Sequence, residues 1–270
     1  MTVELIPQES NAEFRLDDFL DQMQTIRSAL RETERFVAGG EPSLYLRINT
    51  LNKNSPIRAT LEARPERDDS NPEIVQQSSA YASGIVRTMT TNLRVISRRH
   101  KIPKTADMPV LDSYRKIAVP AEKYGVDVKI QSGPNVVVIN RKFREALENI
   151  VGDDEYSHGS ISGMIEGINI HDRNRRFWLY PLAGATRVMG TFRARDRDKF
   201  AQAVGKYVLV YGRLSYKSWD KFPYAVLADS IEVYDQQYVN LEELKGMAPG
   251  ATGTLTGKDF TDQLRDEWQH

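Results

Sequence analysis

Apolar residues change their spacing several times along this chain, and each change marks an expected element. Over residues 14–37, Phe14, Leu16, Phe19, Leu20, Met23, Ile26 and Leu30 recur mostly three and four apart. That period predicts an amphipathic helix, stopped by Gly39 and Gly40. Residues 43–49 and 57–63 alternate instead, which predicts two strands joined around the polar stretch 52–56. Their pairing would give the helix a surface to cover. Residues 64–73, rich in Asp, Asn and Pro, read as a loop, and a second helix is expected over 72–98 despite Gly84 and the threonines Thr88, Thr90 and Thr91. A loop over 100–109 leads to helical spacing over 111–124 with a break near Pro120. A strand at 126–130, a turn at Gly133 and Pro134, a strand at 136–139 and a helix over 141–150 follow. The acidic stretch Asp153, Asp154 and Glu155 reads as a solvated linker and as the end of an α+β domain spanning 1–155.

Beyond it the period becomes 2. Residues 160–170 are β-branched and interrupted by Gly163 and Gly167, where a strand would bulge or bend. Residues 177–180 and 186–192 form a plausible hairpin. From 196 to 204 the period returns to helical, with Phe200, Ala203 and Val204 on one side and Gly205 as the stop signal. Residues 207–216 and 224–234 are the last two strands. The expected order is three strands, one helix, two strands, over 156–236.

Glycine and branched residues at Gly159, Ile161, Gly163 and Ile165, and again at Gly205, Val208, Val210, Gly212 and Leu214, give this stretch a pattern that resembles the OB-fold, as found in nucleic-acid enzymes and their accessory domains. The resemblance covers under a third of the chain. It implies a five-stranded barrel with one helix between strands 3 and 4, whose ligand face is flanked by the loop joining strands 1 and 2 and the loop joining strands 4 and 5.

Composition narrows the alternatives. With 270 residues and 40% hydrophobic content the chain can fill two cores. It has no cysteine, which excludes disulfides and thiolate metal sites. The first seven residues lack the basic and apolar regions of a leader peptide, no run has the length of a membrane span, and a cytoplasmic protein is expected. Lys plus Arg and Asp plus Glu both number 37, so bulk electrostatics does not drive nucleic-acid binding. The distribution is uneven, with 12 Lys and Arg against 8 Asp and Glu over 158–236, and 3 against 6 over 237–270.

No catalytic constellation is visible. His100, His158, His171 and His270 have no ligand partners at helical or hairpin spacing, and no phosphate-binding glycine loop, dinucleotide fingerprint or nucleophile elbow occurs. A non-catalytic protein without cofactor or metal is expected. Placed on the barrel, Arg173, Arg175 and Arg176 fall in the first flanking loop, and Lys217, Trp219, Lys221 and Phe222 in the second. Cations beside aromatic rings suit single-stranded nucleic acid, with rings stacking on bases and cations meeting phosphates. Tyr211 and Arg213 alternate on one side of the fourth strand and extend that surface. For Trp178, Tyr207 and Tyr211, packing in the barrel core or between domains is the leading alternative to stacking. Trp219 reads equally as a contact residue or as a cap folded back on the protein.

The tail offers a second reading. A Gly-rich stretch over 246–257 precedes Phe260, Leu264 and Trp268, spaced four apart, which predicts a short one-faced helix. Residues 264–268 resemble the C-terminal tails of type II antitoxins that bind PIN-domain ribonucleases. That likeness would make Arg265 the charge entering an acidic cleft, and Phe260, Leu264 and Trp268 anchors on a partner protein. Docking on its own chain or a sister subunit is the alternative. Oligomeric state stays open.

Overall fold

A computed structural model describes residues 1–8, 15–52, 54–66, 72–171, 175–182 and 187–234. The anchors Phe260, Leu264, Arg265 and Trp268, together with Arg173, lie outside them. The architecture is α+β, with two five-stranded sheets. In the first, β1 (Thr2–Pro7) lies at the centre, flanked by β3 (Ile57–Pro65) and β4 (Val126–Ser132), with β2 (Leu44–Asn52) and β5 (Asn135–Ile139) at the edges. All neighbouring pairs are antiparallel. β1 goes beyond the sequence-based expectation, which has no strand there. Its alternation explains it: Val3 and Leu5 are buried, while Glu4 on the opposite face meets Arg58 at 2.9 Å and Lys129 at 3.0 Å.

Five helices accompany this sheet: α1 (Leu16–Ala38), α2 (Pro72–Arg99), α3 (Met108–Ile117), α4 (Val119–Lys123) and α5 (Arg141–Val151). Along α1, Phe19, Ile26, Ala29 and Leu30 face the core at the helical period. Asp18 reaches back to accept from the Arg15 backbone N–H at 3.4 Å. The helix closes at Gly39, whose φ of 70° is left-handed and whose N–H donates to Arg35 O at 2.9 Å. Side-chain oxygens cap two other helices, Asp107 accepting from Val110 N and Asn140 accepting from Phe143 N, both at 3.1 Å. The break near Pro120 occurs at Ala118, between α3 and α4.

Several buried polar groups of this half are paired with one another. The Tyr114 hydroxyl sits 2.8 Å from Thr33 Oγ1 and accepts from Asn92 Nδ2 at 3.2 Å, and burial raises its pKa to about 12. Glu34 accepts from Ser43 N and Leu44 N, both at 3.0 Å, and from the Tyr81 hydroxyl at 3.1 Å, so its carboxylate pins the start of β2.

The second sheet is a closed barrel formed by β6 (Asp154–Asn169), β7 (Arg175–Tyr180), β8 (Val188–Phe192), β9 (Tyr207–Lys217) and β10 (Ala225–Tyr234), in the order β10-β8-β7-β6-β9. Only β8 and β10 pair in parallel among these strands. Between β8 and β9 a 3-10 turn, Ala194–Asp196, leads into α6 (Arg197–Gln202), shorter than the helical pattern suggests. Phe200 of α6 packs on Phe192 with ring centroids 4.4 Å apart and on Phe177 at 4.8 Å, filling the interior with rings. Gly190 faces that cluster: a Cβ there would lie 1.9 Å from the Phe177 ring.

The acidic stretch before the barrel departs from its linker reading. β6 already begins at Asp154, paired with Lys217, and Glu155 is paired with Tyr216. The cause is electrostatic, since Lys217 Nζ lies 2.6 Å from Asp154 Oδ1 in a largely buried setting. The same lysine donates to Gly152 O at 2.7 Å, and the Trp219 indole N–H donates to Val151 O at 3.0 Å. A helix end leaves carbonyls without intrahelical partners. α5 has no basic residue in its last turn, so the barrel supplies both donors and the positive charge that its C-terminus favours.

Candidate functional site

Strand alternation decides which side chains β7 and β8 offer outward. Phe177 and Leu179 fill the barrel, so Arg176 and Trp178 point away from it, opposite Thr191 and Met189 on β8. This outward face turns toward α1, α3 and α4 and leaves a cleft of about 660 Å³ between the two halves. The barrel wall carries Arg176, Trp178, Arg187, Met189 and Tyr224; the helical wall carries Asp18, Asp21, Glu32, Asp112, Lys116 and Lys123.

Ionic contacts fix both margins. On one side Arg187 donates to both oxygens of Glu32, at 2.9 and 3.1 Å; Glu32 also accepts from Arg35, which reaches Asp107 at 2.7 Å. On the other, Asp154 gathers Lys217, Tyr224 and Tyr156. Burial would raise the Asp154 pKa, but hydrogen bonds from Lys217 and Tyr224 outweigh it and hold the carboxyl below the ordinary aspartate value. Burial, then the hydrogen bond to Asp154, raises the Tyr224 pKa, so this hydroxyl stays protonated. Burial also raises the Asp112 pKa, against the pull of Arg115, Lys116 and Lys217. Arg176 is exposed and makes no ion pair among the described residues.

The residues singled out in the sequence are spread over several surfaces. Arg176 lines the cleft, and Arg175 beside it is half-buried opposite Phe192. Lys217 and Trp219 belong to the junction: Lys217 is buried and ion-paired, and the Trp219 ring packs on the N-terminal core. For Lys217 the contact reading gives way to a structural one, and for Trp219 the geometry agrees with the cap alternative, because their polar atoms are spent on the end of α5. Lys221 and Phe222 are exposed beside a shallower groove of about 320 Å³ with Ser160, Pro181 and Tyr216. Tyr211 and Arg213 lie on the outward side of β9, where the Arg213 guanidinium sits 5.0 Å from the Tyr156 ring centre. The core reading of Tyr211 is overturned, since it is 40% exposed, and Tyr207 also faces outward, donating to Ser162 Oγ at 3.0 Å. Trp178 likewise leaves the barrel core for the cleft.

Sequence reasoning misses Trp178, Arg187, Met189 and Tyr224 as members of one site. The alternation of Phe177 and Leu179 carries the signal for Trp178; the helical wall has none, because α1 and α3 reach the barrel only through tertiary packing. Among the described residues no group of three or more His, Asp or Glu converges as metal ligands would, and no helix is long and apolar enough to cross a membrane.

No protein-family model matches the chain, and no curated protein matches it. Among solved structures, the crystal structure of the S. pombe Stn1-ten1 complex is similar to it, with 20% identity and a TM-score of 0.23, over 32% of this chain and 62% of that one. The chain thus spans less than two thirds of the length of the chain it matches.

Proposed function

We propose that the barrel is an OB-fold and that the protein binds single-stranded nucleic acid in the cleft, on the β7–β8 face. Closure in the order β10-β8-β7-β6-β9, with a parallel β8–β10 pair and α6 between the third and fourth strands, supports the fold assignment. OB-folds bind oligonucleotides on the face of their second and third strands, between the loop joining strands 1 and 2 and the loop joining strands 4 and 5. Here those strands are β7 and β8, and Tyr224, just before β10, borders the same cleft.

The observation that carries the proposal is the pairing of Arg176, a cation without an ionic partner among the described residues, with the outward ring of Trp178 two residues along one strand. An arginine meets a phosphate while the indole stacks on a base, and such stacking contributes about 1 to 3 kcal/mol. Fluorescence anisotropy with labelled oligonucleotides tests it. Trp178→Ala is expected to weaken binding about tenfold or more, and Arg176→Glu to weaken it further. Arg213→Ala, on the far side of the barrel, should leave affinity within about twofold. Equal affinity of all four proteins would overturn the placement.

A further inference from the structure

Trp178 rests on a position that has no side chain. β6 and β7 pair Ile165 with Leu179 and next Gly167 with Trp178, so the ladder skips Glu166 and the bulge sets a glycine opposite the indole. Glycine stands in a strand either for an unusual backbone conformation or for the close approach of another group. Gly167 has no positive φ, which leaves the second reason. A Cβ there would lie 3.2 Å from Cε3 and 3.6 Å from Cζ3 of Trp178, so the six-membered ring of the indole covers the glycine. At Gly163 and Gly212 a Cβ would instead meet neighbouring backbone. Met189 of β8 faces Trp178 from the other side and lines the cleft with it.

Resting on the reading that nucleic acid enters this cleft, we infer that Gly167 is a positioning residue: the bulge at Glu166 and the missing side chain seat Trp178 as a pre-formed stacking platform. A ring already held against the strand has less freedom to lose when a base stacks on it, and that saving goes into affinity. A side chain at 167 lifts the ring from its seat. An indole that merely shields the glycine backbone would stabilise the sheet without any part in binding.

The test is a double-mutant cycle between Gly167→Val and Trp178→Ala, read by oligonucleotide anisotropy, with urea titrations confirming that each variant is folded. Gly167→Val is expected to weaken binding about fivefold or more in the otherwise unchanged chain, and by less than about twofold in the Trp178→Ala background. The smaller Gly167→Ala should show the same pattern at about two- to threefold, and it carries the cycle if the valine variant does not fold. An equal loss in both backgrounds, or a shifted urea midpoint with unchanged affinity, would overturn the positioning role. A second readout needs no ligand. In the chain labelled with fluorotryptophan, the fluorine NMR resonance assigned to Trp178 by its loss in Trp178→Phe should move in Gly167→Val. A resonance that stays in place would overturn the seat itself. If the unchanged chain binds no oligonucleotide, or Trp178→Ala binds as tightly as the unchanged chain, the nucleic-acid reading falls and the platform role with it, while the resonance still reports the seat.

Discussion

Replacing Trp219 with alanine separates a contact residue from a structural one. Truncating a fully buried large aromatic to alanine costs about 3 to 5 kcal/mol. Trp219 is half-buried against the N-terminal core, so about half of that, ~2 kcal/mol, applies. The indole N–H also donates to Val151 O at 3.0 Å, and losing it from a partly buried helix end adds about 1 kcal/mol. The expected destabilisation is therefore about 3 kcal/mol. At a urea dependence of about 3 kcal/mol per molar it moves the unfolding midpoint by about 1 M. Trp219→Phe keeps most of the ring and loses the donor, and should cost about 1 kcal/mol. Urea titration followed by circular dichroism measures both, with oligonucleotide affinity measured alongside where each variant is fully folded. A midpoint shift below about 0.2 M for Trp219→Ala, or a tenfold loss of affinity in the folded variant, would refute the junction role.

Gly190→Ala should destabilise the barrel by about 1 to 3 kcal/mol or more, because the new methyl lies 1.9 Å from a Phe177 ring already wedged between Phe192 and Phe200; thermal melting reads this, and Phe177→Leu in the same chain should recover part of the loss. Asp154 has a depressed folded pKa, so its ionised form stabilises the fold above the ordinary aspartate pKa, and that contribution fades as pH falls toward the folded value. The stability gap between the unchanged chain and Asp154→Asn should accordingly narrow when urea midpoints are compared from pH 6 down to pH 3; a gap constant with pH contradicts the sign. Removing residues 255–270 should leave oligonucleotide affinity unchanged, since every residue assigned to the cleft precedes them, and a co-purifying protein lost with that segment would make the tail a partner-binding element.

What was legible in the sequence was whatever depends on neighbours along the chain. The period of Phe19, Ile26 and Leu30 marks α1, the alternation through Val208, Val210 and Leu214 marks β9, and Gly39 stands at its left-handed cap. β1 escaped because six residues with two buried apolar positions, Val3 and Leu5, leave a weak periodic signal, strengthened only once β3 and β4 flank it. Lys217 looked like a binding residue, and Trp219 equally like a contact or a folded-back cap, because a cation beside an indole in a polar loop has the same local appearance in either role. Their actual partners, Gly152 and Val151, stand 65 and 68 positions away. Tyr211 could be read as surface or as packed residue, because strand tyrosines serve in both roles, and only the outward turn of β9 settles its direction. The cleft was the least legible part, since its two walls come from segments whose approach depends on the whole fold.

The way α5 ends sets an order of events during synthesis. The helix is complete at Val151, but the donors that satisfy its last carbonyls arrive with Lys217 and Trp219. At about 5 to 20 residues per second, the ribosome makes the first half wait several seconds with that terminus open to water. Until β9 is made, a nascent chain holds a nearly finished domain with one frayed corner. The barrel is thus the piece that finishes its predecessor.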